Sequence, residues 1–307
     1  MSTRRTGRVV VATSGSPASQ SAIAYAAREA ATRGLPIEVV HVIPSTMPVG
    51  PYHGAPDGVI RKAGWELLDQ AEQQVRRTVP EVEVTTALLT GSRVDALVHH
   101  SEGADLLVVG APPHDLLERL WTGSTVTGTA ARATCPLAIV PPTADEAPHP
   151  PTHTVLVGLK STRHAGHLLA TAFAVAAQAQ AELHVVHAWH MVSPYDEAIA
   201  HRVSTPEWET EEGRAIEGLL IDLRMAYPEV QVHVELVHGQ PAYALVEASG
   251  TADLLVISRP AHGGFVHYLG STARAVIREA ACPVLVVPPL DETRDVEHVR
   301  TESVLAP

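Results

Sequence analysis

A duplication constrains this chain more than any other feature. Residues 104–110 read Ala-Asp-Leu-Leu-Val-Val-Gly, and after a loop come Gly123-Ser124-Thr125, an alanine-rich stretch, and Cys135-Pro136-Leu-Ala-Ile-Val-Pro-Pro. The design returns over residues 252–289, where Ala252-Asp253-Leu254-Leu255 stands 148 residues after its counterpart and Cys282-Pro283 stands 147 after Cys135-Pro136. Likewise Val155 answers Val9, and Val185-Val186-His187 answers Val39-Val40-His41, both at an offset of 146. Offsets that change only between apolar runs are what two copies of one domain leave when their loops drift. The chain is therefore expected to fold as two alike units, residues 8–142 and 154–289. A proline-rich linker, 143–153, joins them, and a charged tail, 290–307, is expected to be disordered.

Within the first unit, Val9-Val10-Val11 reads as an apolar strand, and Ser16 with Pro17 gives the N-cap and first position of a helix that Gly34 ends. Residues 37–43 form a second apolar run. Ala63, Leu67, Ala71 and Val75 share one face of a second helix, residues 82–88 alternate as a strand, and 93–101 make a short helix. Residues 106–109 are wholly apolar, as a central parallel strand must be. Strands alternating with helices over about 140 residues predict an α/β, Rossmann-like unit: an open five-stranded parallel sheet with helices on both faces. A chain of 307 residues, 45% apolar, is long enough for two such cores.

The formal charge of −12, with no cluster of Lys and Arg, argues against nucleic acid or an anionic membrane as partner. No apolar stretch reaches spanning length, and Met1-Ser2-Thr3-Arg4-Arg5 has no apolar segment behind it, so the expected location is cytoplasmic. The two cysteines, Cys135 and Cys282, read as small buried apolar residues. Eighteen histidines invite a metal reading. However, strand alternation sends His184 and His187 of the tightest group, which also includes His190, to opposite faces, and the adjacent His99 and His100 diverge on a helix, so no metal is expected.

In a doubly wound sheet, ligands sit beyond the carboxyl ends of the strands where the winding reverses. Meeting there would be Ala12, Thr13 and Ser14 after the first strand, Val42 at the end of the second, Gly110 and Ala111 after the fourth, and the helix start Gly123-Ser124-Thr125. Gly110 would let backbone approach a ligand, and the N–H groups and hydroxyls of the helix start suit a di- or triphosphate. Gly-Ser-Thr reads equally as a plain helix cap. The second unit offers Lys160, Gly270, Ser271 and Thr272 at the matching places.

The tandem arrangement, the paired Cys-Pro-Leu/Val strands ending in Pro-Pro and the Gly-Ser-Thr helix start together resemble the universal stress protein family, over nearly all of both units. The resemblance implies an adenine nucleotide alpha hydrolase-like fold. It further implies an intramolecular pseudo-dimer in which edge strands 137–140 and 284–287 are neighbours across a pseudo-twofold. Members that bind ATP carry Gly-x2-Gly-x9-Gly-Ser/Thr after the fourth strand and an Asp at the end of the first. Here Gly110, Gly123 and Ser124 match, while Pro113 replaces the second glycine and Ser14 the acid. In the second unit Ser258 and Ala261 replace both early glycines, the loop to Gly270-Ser271 is one residue shorter, and Lys160 replaces the acid.

The function expected from this pattern is a non-catalytic stress-response adaptor or sensor, with weak ATP binding in the first unit and the second unit's ATP mode lost. One alternative is a ligand-free scaffold that meets an unidentified protein partner, with further homodimerisation open. Another is a nucleotidylyl transferase built on His164-Ala165-Gly166-His167, a stretch that also reads as the first turns of a helix with Leu168, Ala172 and Val175 on its apolar face. Residues 191–212, with Trp189 and Trp208 near them, and 44–58 read as lids over the two clefts, and the tryptophans as core anchors.

Overall fold

The computed structural model describes residues 7–45, 56–111, 125–142, 152–162, 165–189, 206–259 and 269–289. The first unit runs β1 (Val9–Ala12), α1 (Pro17–Arg33), β2 (Ile37–Ile43), α2 (Asp57–Thr78), β3 (Val84–Thr90), α3 (Arg93–His100), β4 (Leu106–Gly110), α4 (described over 125–132) and β5 (Leu137–Val140). The second runs β6 (Thr154–Leu159), α5 (Gly166–Ala179), β7 (Glu182–Trp189), α6 (Pro206–Ala226), β8 (Val232–His238), α7 (Pro241–Ala248), β9 (Leu254–Ser258), α8 (Ser271–Glu279) and β10 (Val284–Val287).

Each unit contributes five parallel strands, and the two sets join in one ten-stranded sheet of order β3-β2-β1-β4-β5-β10-β9-β6-β7-β8. The joint is the antiparallel pair β5–β10, with Ile139 opposite Val284, Ala138 opposite Leu285 and Leu137 opposite Val286. All eight residues of these two strands are buried, so the apolar edges of the separate units pair with each other and leave no open template. The sheet's outer edges, β3 and β8, carry half-exposed and exposed side chains instead.

Two core layers cover the faces of this sheet. One packs Ala22, Ile23 and Leu68 of α1 and α2, together with Phe173, Ile216 and Leu220 of α5 and α6, against Val9, Val11, Val155 and Val157. The other packs Leu97 of α3, Val126 and Ala130 of α4, Leu245 of α7 and Val276 of α8 against Val10, Leu107, Leu156 and Leu255. Alternation along each strand thus sends successive side chains to opposite layers, and both layers run unbroken across the seam. The cap residues perform as expected: the Ser16 side chain accepts from the Ser19 N–H, and Gly34 takes the left-handed conformation at φ 62°.

Two local expectations are corrected. Strand β3 begins at Val84 rather than Val82, because the Val82 N–H is turned back onto the Val79 carbonyl and the pairing with β2 starts at Ile37 opposite Val84. On α2 the buried stripe is Gly64, Leu68, Ala71 and Val75, while Ala63 and Leu67 are half-buried. Gly64 sets this rotation, since a Cβ there would lie 2.8 Å from Leu88 Cδ1. Residues 206–212 form the first turns of α6. The remainder of the lid segment 191–212, residues 46–55 of the other lid, most of the linker and the tail lie outside the described residues. Among the described residues, no helix is long and apolar enough to cross a membrane.

Candidate functional site

β1 lies between β2 and β4, and β6 between β7 and β9, so the ends of β1 and β6 are the points where winding reverses. In the first unit the Thr13 N–H donates to the Val40 carbonyl at 2.9 Å. Its buried hydroxyl donates to Ser19 Oγ at 3.4 Å and accepts from the Gly15 N–H at 3.3 Å, so it is used in holding the turn. Ser14 is exposed, and its Oγ lies 3.0 Å from Ser16 Oγ. Gly15, at φ +77°, takes the conformation that lets β1 turn into α1. Ala12 is half-buried beside them, and Val42 is buried in the core layer of α3 and α4.

A pair of histidines fixes both strand ends. His41 Nδ1 is 2.8 Å from the Thr13 carbonyl, and His187 Nδ1 is 2.9 Å from the Leu159 carbonyl. A carbonyl only accepts, so Nδ1 carries the proton in each ring. The repeated Val-Val-His was the signal for this latch, and it places His187 on the buried side of β7 while His184 stays half-exposed. His190 lies outside the described residues.

Gly110 meets a demand besides the close ligand approach expected of it. A Cβ there would sit 2.6 Å from the C and O atoms of Ala18 and 2.9 Å from the Ser19 N, so it is the first turn of α1 that needs the glycine. Ala111 follows, its N–H donating to the Val140 carbonyl at 2.7 Å. Thr125 is half-buried at the start of the described part of α4. Gly123, Ser124 and Pro113 lie outside the described residues.

The second unit has the same backbone with different side chains. Lys160, exposed, stands where Ser14 does, and Ser258, exposed, where Gly110 does. Arg259 replaces Ala111: its N–H makes the equivalent bond to Val287 at 2.9 Å. Its guanidinium crosses the seam to the C-terminus of α4, with Nη1 at 2.9 Å from the Ala133 carbonyl and 3.5 Å from that of Ala130. This cation caps the negative end of a helix in the other unit. Burial lowers its pKa from the ordinary value, and an arginine still remains charged. Arg259→Ala is expected to cost about 1.5–3 kcal/mol in urea unfolding, the net worth of hydrogen bonds to a charged group.

At α8, Gly270 is the N-cap, and among the described residues nothing lies within 4 Å of a Cβ placed on it. Ser271 is exposed and Thr272 half-buried. His167 is half-buried in the first turn of α5, whose buried face includes Leu168 and Ala172, with Val175 half-buried beside it. His164 lies outside the described residues. Trp189 is half-buried at the end of β7 with its ring 4.2 Å from that of His238, so it is a rim residue and not the core anchor expected. A groove of about 450 Å³ runs between α1 and α2 and reaches the turn after β1, lined by Thr13, Gly15, Gln20, Leu67, Gln74 and Arg77 among others.

Both cysteines are buried thiols. Burial raises the pKa of Cys135 and pushes that of Cys282 up to about 12. Neither should react with a thiol reagent at pH 8 until the chain unfolds. A folded pKa above the unfolded one also means that this contribution to stability is intact below about pH 8.5 and is lost as pH rises toward 12.

The profile of the universal stress protein family matches residues 6–141 and again 151–288. A universal stress protein of Mycolicibacterium smegmatis is 30% identical over 291 residues, covering 92% of this chain and 97% of the relative. One of Mycobacterium tuberculosis is 30% identical over 286 residues, covering 91% and 95%. Among solved structures, a universal stress protein from Archaeoglobus fulgidus superposes with a TM-score of 0.68 at 20% identity, over 94% of this chain and 98% of that one, and so shares the fold. Two profile matches that between them span both halves, and relatives alike along their whole length, place this chain in the universal stress protein family.

Proposed function

We propose that the chain is a non-catalytic stress-response adaptor or sensor that holds adenine nucleotide weakly at the strand ends of its first unit and not in its second. The observation that carries this is the contrast at matching backbone positions: Ser14 and Ala111 in one unit, Lys160 and Arg259 in the other. Small side chains leave room for an adenosine moiety, and the Ser14 hydroxyl can both donate to and accept from a ribose hydroxyl. A neutral hydroxyl makes a weaker bond than the carboxylate it replaces, and Pro113 removes one N–H from the phosphate loop, so low affinity is expected. In the second unit an ammonium at the ribose position is a donor only. The Gly270-Ser271 start of α8 is kept, so what this unit lacks is the adenosine end of a site. The hydroxyls near β1, those of Thr13, Ser14, Ser16 and Ser19, bond to one another and to the turn, which supports a binding role over a catalytic one.

Titration calorimetry with ATP tests this. The parent should release heat weakly, Ser14→Lys should abolish it, and Lys160→Ala should leave it unchanged. Loss only in the Lys160 variant would reverse the assignment. No heat in the parent would leave the scaffold reading, in which a partner surface carries the function.

A further inference from the structure

Glu182, His184 and His233 converge on the sheet at its β8 end. The parallel register of β7 and β8 puts His184 directly opposite His233, and Glu182, two residues before His184, shares that face. Glu182 Oε2 lies 3.6 Å from His184 Nε2 and 3.5 Å from His233 Nε2, and the two imidazole rings meet edge to face at 5.0 Å. One ligand atom from each of the three residues lies within 4.8 Å of the other two. A tetrahedral Zn²⁺ with bonds of about 2.0–2.1 Å sets neighbouring ligand atoms about 3.3 Å apart, so two edges of the triangle are nearly at that spacing.

The backbone beneath is well anchored, since Leu183 and Val185 on the opposite face are wholly buried in the core. In the first unit the matching positions hold Glu38 and Thr85, which pair across β2 and β3 in the same register. Glu38 is bonded there by Arg8 at 3.0 Å and His100 at 3.0 Å. In the second unit Thr154 stands where Arg8 does, and among the described residues Glu182 has the two imidazoles as its ion-pair partners. The duplicated strand end has thus exchanged an arginine-bound carboxylate for two imidazoles and a carboxylate facing solvent.

We infer that Glu182, His184 and His233 form a surface site for a divalent transition metal of the zinc type. The two imidazoles and the carboxylate are its protein ligands, and water completes the tetrahedron. An ion there ties the edge strand β8 to β7.

Equilibrium dialysis of the full-length, tag-free chain against Zn²⁺, with Co²⁺ as a spectroscopic stand-in, tests the site. The parent should bind, and His184→Ala and His233→Gln should each weaken binding by at least roughly tenfold, since a direct ligand is worth no less than the outer partners that orient one. The visible band of tetrahedral Co²⁺ should be lost with them, while His99→Ala, which removes an exposed histidine elsewhere, should change neither readout. His233 is exposed on an edge strand, so its variant folds even if that at His184 does not. No binding by the parent, or equal binding by the parent and His233→Gln, would overturn the proposal.

Discussion

Replacing Ile139 by alanine is expected to lower the stability of the whole chain by about 2–5 kcal/mol, the range for removing three methyl or methylene groups from a packed interior. Ile139 is 1% exposed and sits in the layer that also holds Val109, Val284 and Ile257. Its cross-strand partner Val284 comes from the other unit, so the cavity opens on both sides of the seam. Urea unfolding followed by circular dichroism should therefore show a single transition moved to lower denaturant. Val59→Ala, on a residue 58% exposed, should stay within about 0.5 kcal/mol of the parent. A curve that splits, with one step unmoved, would mean that the two units unfold independently and that β5–β10 couples them little.

The second large effect belongs to Gly110. A methyl there would press into the peptide between Ala18 and Ser19, at 2.6 Å from two backbone atoms that have no rotamer to escape into. Gly110→Ala should cost about 1–3 kcal/mol or more, because the first turn of α1 must move as a body. That turn carries the Ser16 cap and its bonds to Ser14 and Ser19, so the ATP heat should fall with the stability. Ser258→Gly, at the matching place, should cost less than about 1 kcal/mol, the backbone-entropy penalty of a glycine alone. Thermal melts of the two variants check the contrast, and equal losses would show that the crowding at Ala18 is not what selects the glycine.

Much of the fold was legible because the duplication doubles each weak signal. The apolar runs at Val9, Leu106 and Leu137 recur at a nearly constant offset, and an apolar strand at the end of each copy has to find a partner, which it does in the other copy. What escaped the sequence is what depends on distant chain. Arg259 has no mark of its role in the sequence, because the carbonyls it caps are 126 and 129 residues away. His233 sits beside His184 only once β8 is paired to β7. The packing of α1 against Gly110 escaped because a sequence does not show that a helix will lie there. The rotation of α2 turned on Gly64, a residue with no apolar side chain to mark the buried face.

The most direct test of the asymmetry between the units is a crystal structure of the full chain grown with millimolar ATP. Nucleotide density beside Ser14 and Ala111, with none beside Lys160 and Arg259, is the expected result. Nucleotide held against Lys160 while the strand ends of the first unit stay empty would contradict it.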